Sequence, residues 1–214
     1  MAKVIGNIVQ QGVRGSIVES GAYNWAAYWD SRTPSELALT VISGTRIDLD
    51  WTNNGNTDYD GVSIERSTDG ITYAEIDTGA AGDTSYADNG LTEATHYYYR
   101  LRYYRGTHYS AYSNVDSDTT YSYFKITIDT TKAGSANDTF VLPTAGGATV
   151  YDYYIDWGEG GAEEHVVVNT NQTHVYTIAG TYQISIRGTF PRIYFNNAGD
   201  KLKLLTIAQW GNIV

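Results

Sequence analysis

Apolar and polar residues alternate with a period of two in several short runs of this chain. The first such run, residues 47–51, puts Ile47, Leu49 and Trp51 on one side. The second, residues 95–103, puts four large side chains on one side: Tyr97, Tyr99, Leu101 and Tyr103. Successive side chains of a β-strand point to opposite faces of its sheet, so each run predicts a strand with one buried face.

More strands are predicted between these two runs. Their apolar positions are Val62, Ile64, Tyr73 and Ile76. The dipeptides Asn54-Gly55 and Asp69-Gly70 are turn signals of the kind that join antiparallel strands. Together, these features predict a small antiparallel sandwich with Trp51 packed at its centre.

Residues 34–119 resemble a fibronectin type III domain. The resemblance is carried by Trp51 and its strand, by residues 62–70, by the spacing Leu91…Thr95-x-Tyr97-x-Tyr99, and by the closing residues 110–114, which read Ser-Ala-Tyr-Ser-Asn. It implies an immunoglobulin-like sandwich in which Tyr97 is the tyrosine corner, with its hydroxyl bonded to backbone upstream. A resemblance of this kind names a fold and not a function.

A second β domain is predicted from residue 120 onward. It opens with the alternating residues 123–129 and continues with Asp-Trp-Gly-Glu-Gly at 156–160, His174-x-Tyr176 and Gly-Thr-Tyr at 180–182. This spacing resembles the polycystic-kidney-disease (PKD) type of immunoglobulin-like domain, although that family usually has Gly-Asp-Gly where this chain has Gly158-Glu159-Gly160. The resemblance implies a second sandwich and a structural hydrogen bond for His174.

The last stretch, residues 190–212, is similar to the segment that joins such a domain to leucine-rich-like repeats. That arrangement occurs in BspA-type surface proteins of Bacteroidales bacteria and their phages. The predicted fold class is therefore all-β: two tandem immunoglobulin-like β-sandwiches, a fibronectin type III-like one at 34–119 and a PKD-like one with a C-terminal extension at 120–214. An irregular N-terminal arm, residues 1–33, precedes them.

The arm has apolar residues interrupted by glycines, and then a cluster of aromatic residues. The glycines argue against a stable helix over the first twenty residues, whereas a short helix over residues 24–30, ended by the approach to Pro34, stays open. We interpret the arm as a docking segment that inserts into a larger assembly, with folding back onto the first sandwich as the alternative. Its candidate partner-binding residues are Ile5, Ile8, Val9, Val13, Tyr23, Trp25, Tyr28 and Trp29.

A second candidate surface is the outward side of the tyrosine-rich strand. It carries the residues Tyr98, Arg100, Arg102 and Tyr104, and Tyr and Arg are over-represented at protein interfaces. The alternative interpretation is that both arginines pair across strands with Glu65 while the tyrosines shield the sheet.

Charge and composition narrow the classes of partner. Residues 34–118 carry five basic and fourteen acidic side chains, a net charge of −9 within the chain's −10. A nucleic-acid partner is not expected, because such surfaces need clustered Lys and Arg. No stretch is apolar enough to predict membrane insertion, and a chain without cysteine has no disulfide, thiolate zinc site or thiol nucleophile.

The sequence motifs predict no catalytic, cofactor or metal site. The four histidines form no ligand pattern with one another or with carboxylates. The acidic turn containing Asp156, Glu159, Glu163 and Glu164 has oxygen ligands that would suit calcium, but a solvated acidic turn is the preferred interpretation. A pair of carboxylates for glycoside hydrolysis depends on spatial pairing and on a cleft that small sandwiches rarely provide.

The leading hypothesis is a non-enzymatic phage virion structural protein, a head or tail appendage. Its arm would dock on other virion proteins through residues 1–33, and its sandwiches would project to bind a host glycan or protein, as a homo-oligomer in the assembly. We expect no secretory signal, because the first residues lack a long apolar core. The alternatives are an adhesin on the bacterial cell surface and a carbohydrate-binding accessory module.

Overall fold

The computed structural model describes residues 32–54, 58–144 and 150–211. The eight candidate residues of the N-terminal arm, and the short helix considered at 24–30, lie outside them. The described chain forms two compact units. Unit 1 contains the described residues up to Ile42 together with Arg46–Asn89 and His96–Thr119, and unit 2 contains Ser43–Thr45, Gly90–Thr95 and the chain from Thr120 onward.

Unit 1 consists of antiparallel strands. They are β1 (Ser35–Ser43), β2 (Arg46–Thr52), β3 (Gly61–Ser67), β4 (Ala74–Ala80), β5 (Ser85–Asn89), β6 (His96–Arg105), β7 (His108–Tyr109) and β8 (Asp116–Thr119). One sheet has the order β1-β2-β5 and the other the order β4-β3-β6-β7, with β8 also pairing with β6. No helix occurs in the described residues, and the all-β fold class predicted from the sequence is confirmed.

The predicted inward positions form the core of unit 1. Ile47 and Leu49 are fully buried, and Trp51 is 5% exposed. The inward side chains of β6 and the apolar side chains of β3 are also buried: Tyr97, Tyr99, Leu101, Tyr103, Val62 and Ile64. The alternation of residue types therefore predicted the two buried faces correctly.

A buried charge lies within this core. Asp88 on β5 accepts hydrogen bonds from the Tyr99 hydroxyl at 2.8 Å and from Arg66 Nη1 at 2.7 Å. Burial, and then this bond to Asp88, raises the pKa of Tyr99 above its ordinary range. The Arg66 guanidinium also lies over the ring of Tyr97, whose tyrosine-corner role stays a prediction.

The predicted turn at Asp69-Gly70 joins β3 to β4. Asp69 Oδ1 accepts hydrogen bonds from the backbone amides of Ile71 and Thr72 and from the Ser67 hydroxyl. These bonds hold the pKa of Asp69 well below its usual range. Gly70 adopts a φ of 70°, a left-handed conformation that favours glycine. The other predicted turn is Asn54-Gly55, and its Gly55 lies outside the described residues.

Unit 2 contains the remaining strands. They are β9 (Phe124–Asp129), β10 (Thr139–Leu142), β11 (Asp152–Asp156), β12 (Glu164–Val166), β13 (Gln172–Val175), β14 (Thr181–Thr189) and β15 (Leu204–Gln209). A sheet with the order β12-β11-β14-β9-β15 and a two-stranded sheet, β10-β13, enclose one apolar core. Unit 2 is thus a second sandwich, while its PKD-like identity stays a resemblance.

The motif residues of unit 2 pack against one another. His174 stacks on the Trp157 ring with centroids 4.7 Å apart, and its Nε2 lies 2.8 Å from Glu159 Oε2. The Tyr176 hydroxyl donates to the Trp157 carbonyl at 3.1 Å. The structural hydrogen bond that the resemblance implied for His174 is therefore present.

The C-terminal strand β15 was not predicted from the sequence. It pairs antiparallel with β9 at the edge of the five-stranded sheet. Just before it, Lys203 is fully buried, and its Nζ donates to the carbonyls of Ser135, Ala136 and Thr139 at 3.1, 2.7 and 2.7 Å. This part of the predicted C-terminal extension is thus a strand of the second sandwich.

Candidate binding face

The four residues predicted to form an exposed ladder lie on one face of unit 1. Tyr98, Arg100, Arg102 and Tyr104 alternate along β6 and are partly buried. In the register of β3 with β6, Glu65 lies opposite Arg100 and Ser63 opposite Arg102. We call this surface the tyrosine–arginine face; its members are Glu65, Tyr73, Tyr98, Arg100, Arg102, Tyr104, Tyr109 and Tyr112.

Glu65 is at the centre of the face and is 4% exposed. Its Oε2 lies 2.6 Å from Arg100 Nη2, and its Oε1 lies 2.8 Å from Arg102 Nη2. Oε1 also accepts the Tyr112 hydroxyl at 3.0 Å. One buried carboxylate is therefore shared by two guanidinium groups, as the alternative interpretation of the ladder predicted.

Three tyrosines outside the predicted ladder stack on these arginines, and one of them, Tyr73, was expected at an apolar strand position but lies just before β4. The Arg100 guanidinium carbon lies 4.0 Å from the ring centre of Tyr73 and 3.8 Å from that of Tyr112. Arg102 lies 3.9 Å from the ring centre of Tyr109. Each arginine is thus in cation–π contact with at least one aromatic ring, a contact that is stronger for partly desolvated cations. These tyrosines come from other segments than β6, so periodicity along one strand could not identify them.

The two outer tyrosines of the ladder cover glycines. Gly61 lies opposite Tyr104 in the strand register, and a Cβ on Gly61 would be 2.7 Å from the Tyr104 hydroxyl. A Cβ on Gly70 would be 3.2 Å from the Tyr98 ring. Tyr98 and Tyr104 therefore shield backbone that has no side chain of its own, and this packing fixes their rings.

The face combines preformed geometry with partly exposed aromatic rings. Arg102 makes its ion pair with Glu65 through Nη2, and its Nε is buried and has no hydrogen-bond partner among the described residues. Tyr109 and Tyr112 are 45% and 37% exposed. Burial, and then the bond to Glu65, raises the pKa of Tyr112, so its hydroxyl stays protonated at neutral pH. Rigid Tyr and Arg groups of this kind can form contact sites without a large ordering cost.

The acidic turn of unit 2 is held by protein donors. Asp156 accepts a hydrogen bond from the backbone amide of Gly158, and Glu164 accepts one from Trp157 Nε1. Glu159 accepts a hydrogen bond from the backbone amide of Thr177 and also contacts His174. Glu163 pairs with Arg187 at 2.6 Å. Over the described ranges, no group of three or more His, Asp or Glu side chains is arranged to hold a metal ion.

No protein-family model matches the chain, and no curated protein matches it. Among solved structures, a fibronectin type III-like protein from Clostridium thermocellum is 26% identical and covers 40% of this chain and 88% of its own, with a TM-score of 0.35. A two-domain fibronectin type III segment of chicken tenascin is 18% identical, with coverages of 72% and 89% and a TM-score of 0.39. The fibronectin domain of human contactin 1 is 13% identical, with coverages of 55% and 92% and the same TM-score.

The immunoglobulin-like character of the chain rests on its own strand pairing and buried cores. No helix in the described part of the chain is long and apolar enough to cross a membrane.

Proposed function

We propose that this chain is a non-enzymatic adhesion and spacing element of a larger assembly. The observation that carries the proposal is the tyrosine–arginine face of unit 1. Its two guanidinium groups are held by Glu65 and stack on aromatic rings, while Tyr109 and Tyr112 are 45% and 37% exposed. Because these groups are already ordered, a partner that binds them loses little additional side-chain freedom.

The assembly we propose first is a phage virion, with residues 1–33 docking on other virion proteins. This follows from the resemblance of the tandem modules and from the apolar, aromatic composition of the arm. Burial of its Val, Ile and Trp side chains would supply affinity at about 25 cal/mol per Å² of apolar surface before ordering costs. The bacterial cell surface is the second candidate assembly, since adhesins with the same kinds of modules would use the face in the same way.

Deletion of residues 1–33 tests the docking role. We expect the full chain to be recovered in purified particles and the 34–214 chain to be absent from them. Equal recovery of both chains would refute the docking role of the arm. Recovery of the full chain only in a bacterial surface fraction would replace the virion with the second candidate.

Substitution of Tyr109 tests the adhesive role of the face. Tyr109→Ala removes an exposed ring that lies over Arg102, and we expect it to weaken binding of the purified protein to host cells by roughly tenfold. Tyr194→Ala, which removes another exposed tyrosine, from unit 2, is the matched control and should leave binding unchanged. Equal binding by wild type and Tyr109→Ala would remove the face from the proposal.

A further inference from the structure

A small open cavity lies within unit 2, where β9 and β14 stop pairing. Ile186 pairs with Phe124 at the start of β9, and β14 continues to Thr189 without this partner. Residues 120–122 also line the space. The cavity has a volume of about 310 Å³, which is at the lower end of the range for small-molecule sites and suits a single ring.

The apolar wall of the cavity is aromatic. The rings of Phe124 and Phe190 stack with centroids 5.9 Å apart and are almost fully buried. Next to them, the Trp210 ring lies 6.0 Å from Phe124 and is 63% exposed. An indole normally hides most of its large apolar surface, so Trp210 offers an uncovered flat surface beside the cavity.

The polar wall is supplied by Arg187 and Ser122. The Arg187 guanidinium lies between the rings of Tyr121 and Tyr154, 4.1 and 3.9 Å from their centres, and pairs with Glu163 at 2.6 Å. The Ser122 hydroxyl makes no hydrogen bond within the part of the chain that the structure describes. The wall thus offers hydrogen-bonding groups but little net charge.

These two walls select the chemistry of the ligand. An anion gains little, because Glu163 already neutralises Arg187 and the chain carries a net charge of −10. A purely aromatic ring would cover Ser122 and Arg187 without bonding to them, which penalises binding. A pyranose ring has an apolar C–H face for the aromatic wall and hydroxyl groups at its edge for the polar wall.

We propose that the cavity and Trp210 together bind one neutral pyranose ring of a glycan. The exposed Trp210 ring contacts the C–H face of the sugar, and Ser122 and Arg187 bond to its hydroxyls. This inference rests on the proposed adhesive function and names the ligand class of one of its contacts. The affinity for a single ring should be in the millimolar range, since a small ligand in an open cavity has few contacts.

The test is a titration of the full chain with the methyl glycosides of glucose, galactose, mannose and N-acetylglucosamine. Ligand-observed NMR and tryptophan fluorescence should both show saturable binding of at least one sugar. Trp210→Ala should weaken that binding at least about tenfold, and Ser122→Ala should weaken it several-fold. Tyr194→Ala removes an exposed aromatic ring outside the cavity and should leave binding unchanged.

Three outcomes would overturn the assignment. The first is that none of the four sugars gives a saturable response. The second is that N-acetyltryptophanamide or glucuronate binds more tightly than every neutral sugar, which would indicate a peptide or an acidic ligand. The third is that both cavity variants bind as well as wild type. Because the titration needs no assembly, failure of arm docking would leave its result unaffected.

Discussion

Glu65 and Asp69 show how single side chains fix the polar features of unit 1. Glu65 is 4% exposed and holds Arg100 and Arg102 on the outer face of the sheet. Asp69 organises the turn between β3 and β4 by accepting two backbone amides and one hydroxyl. In both cases one carboxylate accepts several hydrogen bonds or ion pairs, so its removal leaves donors without partners.

Glu65→Gln is expected to destabilise unit 1 by about 1–3 kcal/mol, because it leaves two partly buried guanidinium groups without their shared anion. Urea unfolding measures the loss. Asp58→Asn disrupts the pair between Asp58 and Arg105, whose side chains are 51% and 42% exposed, and should cost much less. An equal loss for the two variants would show that Glu65 does not organise the face.

The lowered pKa of Asp69 gives a pH dependence with a definite sign. A carboxylate whose pKa is lower in the folded than in the unfolded chain adds stability above the unfolded value of about 3.9, and this stability is lost as the pH falls through the folded value. Wild type should therefore lose more unfolding free energy than Asp69→Asn between neutral and acidic pH. The asparagine keeps an acceptor oxygen but does not titrate. If the unfolding free energies of wild type and Asp69→Asn changed in parallel with pH, the lowered pKa of Asp69 would be contradicted.

At the scale of elements, the strands of the first sandwich were predictable because their period reports burial. The inward positions of β2 and β6 follow from alternation alone, and all of them are buried. The strand β15 gave no such signal, since its residues are partly or largely exposed and do not alternate regularly. We expect the position of β15 to depend on Lys203, which bonds to backbone carbonyls more than sixty residues away in the sequence. A pattern of neighbouring residues cannot reveal contacts over that distance.

The candidate sites were also predictable only where their residues follow one another along a single strand. The ladder on β6 was visible as a period of two, and its Glu65 partner was a cross-strand expectation. The stacked Tyr73, Tyr109 and Tyr112 come together only through the sheet and the loops beside it. Trp210 and Ser122 were not singled out either, because the cavity is formed by segments far apart in the sequence.

Lys203→Met tests whether β15 is anchored to the second sandwich. The change leaves backbone carbonyls of residues 135, 136 and 139 without their donor, and we expect a loss of about 2–5 kcal/mol in unit 2. Amide hydrogen exchange should show faster opening of β9, β14 and β15 with little change in β6. Lys201→Met, at an exposed lysine of the same segment, is the control, and equal effects of both variants would contradict the anchoring.

At the scale of the whole molecule, the two units have different roles in this account. Unit 1 presents the tyrosine–arginine face and lies within the segment that carries most of the acidic charge. Unit 2 presents the cavity with Trp210. The core of unit 1 includes the buried side chains of Leu37, Leu49 and Trp51. The proposed function gives docking to the arm and adhesion to the two sandwiches.

The most direct measurement compares the stability and oligomeric state of purified 1–214 and 34–214. If the arm is a docking segment, the truncated chain should be a monomer whose unit 1 unfolds with the same free energy, within about 0.5 kcal/mol. Protease should remove the arm of the full chain while both sandwiches survive. If deletion instead destabilises unit 1 by several kcal/mol and the arm resists protease, the arm belongs to the core of that sandwich, and the docking account is wrong.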